Sequence, residues 1–79
     1  MNISIAYCVA WNFLPQASRL EAEMKAKYPD ATITLIQGGS GIFDVMCNGT
    51  LIYSKQHSEG QRFPHEGEIT RLIKQEADS

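Results

Sequence analysis

Ile42-Phe43-Asp44-Val45-Met46-Cys47-Asn48-Gly49-Thr50-Leu51-Ile52-Tyr53-Ser54 is two β-prone runs set around an Asn-Gly pair. A type I′ turn needs positive φ at both central residues, and Asn followed by Gly meets that need at the least steric cost. The stretch therefore predicts a tight hairpin. A two-residue turn also fixes the register, so Cys47 is expected opposite Thr50, Met46 opposite Leu51, Val45 opposite Ile52 and Asp44 opposite Tyr53. Alternation then places Phe43, Val45 and Ile52 on one side, and Met46, Leu51 and Tyr53 on the other.

Upstream of the hairpin, Ile3-Ser4-Ile5-Ala6-Tyr7-Cys8 reads as a strand and Val9-Ala10-Trp11-Asn12 as a short loop. Asn12 is the expected helix N-cap. Pro15 falls in the first turn, where a missing N–H does no harm. Ala17, Leu20, Met24 and Tyr28 recur at helical spacing, and the helix should stop before Pro29-Asp30. Ala31 to Ile36 is a second strand, parallel to the first through a right-handed crossover. Gln37-Gly38-Gly39-Ser40-Gly41 makes a flexible or tightly turned loop. After the hairpin, polar residues from Lys55 to Arg62 lead to Phe63-Pro64. A last helix is marked by Ile69, Leu72 and Ile73, with His65 on the same face, and Ala77-Asp78-Ser79 should fray.

The order β-α-β-β-β-α in a single domain, 1–79, is an α/β (α+β sandwich) arrangement. It is the thioredoxin-like plan without the helix that usually joins the two halves: a four-stranded mixed sheet with two helices on one face. The other face would be uncovered and would still carry apolar side chains. It could serve a partner or a homodimer, or simply be a solvated face with scattered apolar residues.

Seventy-nine residues with 43% apolar and 20% charged side chains suit one small globular unit. The net charge of −2 with no basic stripe argues against nucleic acid. No apolar run approaches the ~20 residues that span a bilayer, and no membrane association is expected. The start, Met1-Asn2-Ile3-Ser4, lacks the basic and long apolar segments of a signal peptide, so a cytoplasmic location is expected. Two cysteines are too few for a disulfide scaffold. With His57 and His65 they show none of the paired spacings of a zinc site, so no metal is expected.

The topology brings three connections to one edge of the sheet: Cys8 to Asn12, Gln37 to Gly41 and Lys55 to Phe63. Open α/β sheets place their sites beyond the carboxyl ends of the parallel strands. Cys8 is at that edge. Cys47 lies with the hairpin turn at the other, about 20 Å away along a six-residue strand, too far for a disulfide. Cys8 also precedes a helix N-terminus, whose free N–H groups stabilise a thiolate. The alternative is a buried strand-end cysteine of ordinary reactivity, which is also the reading for Cys47. The glycine-rich loop lacks the Lys-Ser/Thr of a phosphate loop and is expected to wall the site beside Cys8, with no proline available for the cis-proline common in such walls. Val9, Ala10, Gly38, Gly39, Ser40 and Phe63 are the candidate binding residues. His57 and His65 are candidate bases, with solvated roles as the alternative.

Tyr7-Cys8-Val9-Ala10-Trp11 at a strand end resembles the Tyr-Cys-x-x-(Cys or selenocysteine) start of the selenoprotein W-like (Rdx) family. Gly41-Ile42-Phe43-Asp44-Val45-Met46 is similar to its Gly-x-Phe-(Glu/Asp)-Val segment. The likeness continues at Asn48-Gly49-Thr50-Leu51-Ile52-Tyr53-Ser54-Lys55 and at Phe63-Pro64, so it spans nearly the whole chain. The resemblance implies a thioredoxin-like fold and thiol or selenol redox chemistry. Glutathione or protein thiols are the implied partners, and no bound cofactor is expected. Cys8 occupies the first redox position and Trp11 the second. Indole cannot resolve a mixed disulfide, so the chain as written is a single-thiol variant or inactive. Three origins account for Trp11: natural divergence, an engineered change, or a selenocysteine codon, since UGA and the Trp codon UGG differ by one base; the third is preferred. Two functional readings follow. One is a redox protein built on Cys8; the other is a non-catalytic protein-binding module that keeps the fold and presents Trp11 or the open sheet face.

Overall fold

The computed structural model describes residues 1–78. The elements run β1 (Asn2–Cys8), α1 (Leu14–Lys27), β2 (Thr32–Gly38), β3 (Phe43–Cys47), β4 (Thr50–Ser54) and α2 (Glu68–Ala77), with a 3₁₀ turn at Lys55–His57. The sheet order is β2-β1-β3-β4. β1 is central, parallel to β2 with Ile5 opposite Leu35, and antiparallel to β3 with Ile5 opposite Val45. Three strands therefore run one way and β3 the other, as the hairpin and the crossover require. The fraying expected of the tail falls partly on Ser79, outside the described residues; Ala77 closes α2.

Alternation sorts the side chains. Ile3, Ile5 and Tyr7 of β1 and Phe43, Val45 and Cys47 of β3 are buried on one face. There they meet Ala17, Leu20 and Met24 of α1 and Ile69 and Ile73 of α2 in one core. Both helices cover this face, and burying each large apolar side chain is worth roughly 1.5–3 kcal/mol. The opposite face carries Ser4, Ala6, Thr34, Asp44 and Met46, with Ile36 and Leu51 exposed.

The hairpin turn is as expected: Asn48 has φ 51° and Gly49 φ 85°. Asn48 also ties the turn to β1. Its side-chain Oδ1 accepts the Asn2 N–H at 2.9 Å, and its own N–H donates to the Asn2 carbonyl at 2.8 Å. The register departs from expectation beyond the first two pairs. Cys47 faces Thr50 and Met46 faces Leu51, but Val45 faces Tyr53 and Asp44 faces Ser54. Ile52 is the extra residue of a β-bulge, which turns Tyr53 from the open face into the core. There its ring is buried and its hydroxyl donates to the Arg62 carbonyl at 2.6 Å. A polar tip on an apolar body is satisfied at both ends, which straight pairing would not achieve.

Two further expectations are corrected. Asn12 does not cap α1: it sits in the left-handed region at φ 59°, and Phe13 holds the N-cap position without a side-chain hydrogen bond. His65 lies ahead of α2 rather than on it. Its N–H donates to Glu68 Oε1 at 2.9 Å. Glu68 also takes a two-pronged ion pair from Arg62, at 2.8 and 2.9 Å, which fixes the chain between β4 and α2. That guanidinium holds the Glu68 carboxyl down at about 2.

Candidate functional site

The three connections expected at one edge do meet there. Cys8 ends β1 with its N–H donating to the Ile42 carbonyl at 2.9 Å and its carbonyl accepting from Phe13 at 3.0 Å. The chain between them is a tight turn, closed by the Asn12 N–H on the Val9 carbonyl at 2.9 Å. A left-handed residue at position 12 lets the chain reverse from strand to helix within a few residues, and Asn tolerates that conformation better than most. The turn folds the main chain of residue 11 back over the cysteine. The Trp11 N–H donates to Cys8 Sγ at 3.3 Å.

The indole of Trp11 packs on the next loop, at Gly41. A Cβ at Gly41, which has φ 73°, would meet the ring at 3.0 and 3.3 Å. Only glycine therefore both adopts this backbone and leaves a seat for the indole. Gln56, in the turn after β4, donates from Nε2 to the Ser40 carbonyl at 3.1 Å and joins the second connection to the third. The edge of Trp11 meets Phe13, with ring centroids 6.0 Å apart. Phe13 meets Phe63 at 4.8 Å, and Phe63 meets the buried Phe43 at 5.1 Å. Lys55 Nζ stands 5.4 Å from the Phe13 centroid and 5.3 Å from that of Phe63, a cation held on two ring faces.

Cys8 is 1% exposed and Trp11 59% exposed. The thiol is thus covered while the aromatic residue three positions on is presented to solvent. Val9 and Ala10 are exposed at the tip of the turn. Gly38 pairs directly with Cys8 across β2, and a Cβ there would strike Ile42 at 2.5 Å, so its absence lets Ile42 close the strand end. Gly39 and Ser40 form the rim: the Gly39 carbonyl accepts from Ile42, and Ser40 is held through Gln56. Phe63 is one ring further out, behind Phe13. Together with His65 it lines a separate groove of about 570 Å³ along α1, between Leu20, Glu23 and Pro64, that none of residues 8–11 reaches. Cys47 is a free thiol at the other end of the sheet, opposite Ile3, and burial pushes its thiol up.

Phe13, Gly41, Lys55 and Gln56 were not among the candidate site residues, although the last three lie in connections expected at this edge. The last two had a readable signal. They follow β4, which ends at the same edge as β1, so the rule that selected Cys8 also selects them.

The profile of the Rdx family matches residues 2–75. The chain belongs to the Rdx family. Among its relatives, Migration and invasion enhancer 1 of Mus musculus is 31% identical over 74 residues, covering 94% of this chain and 63% of that protein. Selenoprotein W of Gallus gallus is 30% identical over 63 residues, covering 76% of this chain and 74% of that protein. This Rdx chain therefore spans less than two thirds of the length of the first of these. The crystal structure of a selenoprotein W-related protein from Vibrio cholerae superposes with a TM-score of 0.84 at 21% identity, over 94% of this chain and 92% of that one. A Bordetella parapertussis protein of 21% identity superposes with a TM-score of 0.85, over 95% of both chains. The Rdx fold, a mixed four-stranded sheet with two helices, is shared with both. Among the described residues, no helix is long and apolar enough to cross a membrane.

Proposed function

We propose that this chain is a selenoprotein W-like thiol redox module in which Cys8 is the reactive thiol and works without an internal partner. The observation that carries the reading is the Trp11 main-chain N–H on Cys8 Sγ at 3.3 Å, at the entrance to α1. That contact holds residue 11 against the sulfur, as a Cys-x-x-Cys turn requires. In the reaction the Cys8 thiolate attacks one sulfur of a disulfide. A Cys8–S bond forms, the old S–S bond breaks, and the other sulfur leaves as thiolate. An outside thiolate such as glutathione then attacks the mixed disulfide and releases Cys8. A second outside thiolate attacks the disulfide so released, so that two outside thiols become one disulfide, the original disulfide becomes two thiols, and Trp11 takes no electron.

The test is incubation with oxidised glutathione under native conditions, followed by intact mass and peptide mapping. Addition of one glutathione at Cys8, at a rate at least tenfold above Cys47, is expected; Cys8→Ser removes it and Cys47→Ser does not. A second reading, a non-catalytic protein-binding module, is favoured by the burial of Cys8 together with the exposure of Trp11. Native protein in which neither cysteine reacts until it is unfolded would select that reading. The cytoplasm, as a reducing compartment, is the proposed setting for either.

A further inference from the structure

The two edges of the sheet are finished differently. β4 is five residues long, carries the Ile52 bulge and leads directly into the 3₁₀ turn. Those are devices that stop a strand from recruiting another. β2 has none of them. Its seven residues, Thr32-Ile33-Thr34-Leu35-Ile36-Gln37-Gly38, include no charge and no proline, and all seven pair with β1 in unbroken register.

The direction of its hydrogen bonds can be followed residue by residue. In a parallel pair, one residue directs both its N–H and its C=O to one side, and the next directs both to the other. The Thr32 N–H donates to the Met1 carbonyl at 2.9 Å, so Thr32, Thr34, Ile36 and Gly38 face β1. Ile33, Leu35 and Gln37 therefore aim N–H and C=O outward, and these groups have no main-chain partner among the described residues. Thr32, Thr34, Ile36 and Gln37 are exposed along this edge.

We propose that β2 pairs antiparallel with β2 of a second copy of this chain, about a two-fold axis at Leu35, to make one continuous eight-stranded sheet. The occupant follows from the arrangement of groups. Antiparallel residues that exchange bonds lie directly opposite, so an axis at Leu35 sets Leu35 against Leu35, and Ile33 against Gln37 on both sides. Every outward donor on each copy then meets an acceptor. An axis at Thr34 or Ile36 leaves one of the three outward residues on each copy without its match. With no charge on the strand, two copies meet without like-charge repulsion. On the open face the same axis lays Ile36, 45% exposed, against Thr34 of the other copy, twice. The contact is one strand wide, smaller than a standard interface of about 1,200–2,000 Å², so the association is weak and concentration-dependent. It leaves the Cys8 edge free in both copies and is independent of the redox reading.

The test is light scattering after size exclusion, in the presence of reductant, across micromolar to millimolar protein. The mass is expected to rise from the monomer's 8.8 kDa toward twice that value. In concentrated samples, amide exchange should slow at Ile33, Leu35 and Gln37, while Thr34 and Ile36 are protected at every concentration. Thr34→Lys with Ile36→Lys opposes like charges across the axis and should weaken association by roughly tenfold or more. Thr34→Glu with Ile36→Lys opposes unlike charges and should restore it, with circular dichroism confirming that both variants fold. A wild-type mass that stays at the monomer throughout overturns the proposal. So does fast exchange at Ile33, Leu35 and Gln37 in a dimer, or a dimer indifferent to both charge patterns.

Discussion

Cys8 and Cys47 are both buried at strand ends, yet their surroundings oppose each other. Cys8 closes a parallel strand; a main-chain N–H points at its sulfur, and the N-terminus of α1 follows. Cys47 closes an antiparallel strand beside the hairpin turn, and burial pushes its thiol up, only partly offset by the chain's N-terminal amine. Burial is common to both, so the proposed preference for Cys8 rests on the donor aimed at its sulfur, which the chain direction at that end of the sheet supplies.

The largest expected effect comes from making the missing partner. Trp11→Cys should form an internal disulfide in a glutathione buffer, seen as the loss of two hydrogens by mass, with Cys8 in the bridge and Cys47 outside it. A bridge to Cys47, or none, would show that the β1–α1 turn does not hold residue 11 as described. Gly41→Ala comes next. A Cβ at φ 73° and 3.0 Å from the indole strains the loop and displaces Trp11. Trp11 fluorescence should shift toward that of a fully solvated indole, at a stability cost of about 1–3 kcal/mol measured by urea unfolding.

Cys47 offers a smaller effect with a distinct sign. Its thiol is raised above its ordinary 9.0, so the unfolded chain loses this proton before the folded one does. The protection is fully present below that value and falls as pH rises past it. Stability should therefore drop faster above about pH 9 in the wild type than in Cys47→Ala, which itself should cost ~1 kcal/mol at neutral pH. Acid gives the mildest contrast. Glu68 is lowered from 4.5 to about 2, so its contribution is complete above about pH 4.5 and fades as pH falls toward 2. Glu68→Gln should be less stable than wild type at pH 7, and the two should converge near pH 2 in the same unfolding assay. Because global unfolding releases both cysteines together, this variant separates it from local opening at Cys8.

Much of this architecture was legible in the order of residues. Asn48-Gly49 dictates its own turn, and the apolar spacing of Ala17, Leu20 and Met24 dictates a helix face, because both are local. The same order of elements placed Cys8 and Cys47 at opposite ends. What stayed hidden depended on tertiary partners. The Ile52 bulge exists because Tyr53 finds both a core for its ring and the Arg62 carbonyl for its hydroxyl, and nothing in Leu51-Ile52-Tyr53 announces that carbonyl. Asn12 reads as a cap by composition, but the sharp exit from β1 uses its tolerance of positive φ instead. The seat of Trp11 on Gly41 joins residues thirty positions apart, and only the assembled edge brings them together.

The position of β1 has a consequence for how the chain comes to be folded. The hairpin can zip up from its own turn, and α1 needs only nearby residues, but β1 gains its second neighbour when Ile5 meets Val45, forty residues later. The earliest strand of the described chain is the one the whole sheet is built around, so its ladder is completed late. Until then β1 has one flank open during synthesis, and Cys8 at its end lacks the Ile42 carbonyl that anchors it. Non-local pairing of this kind slows folding and leaves sticky intermediates. A nascent chain halted before β3 should be the species that chaperones hold, and its Cys8 should react faster than the covered thiol of the finished protein.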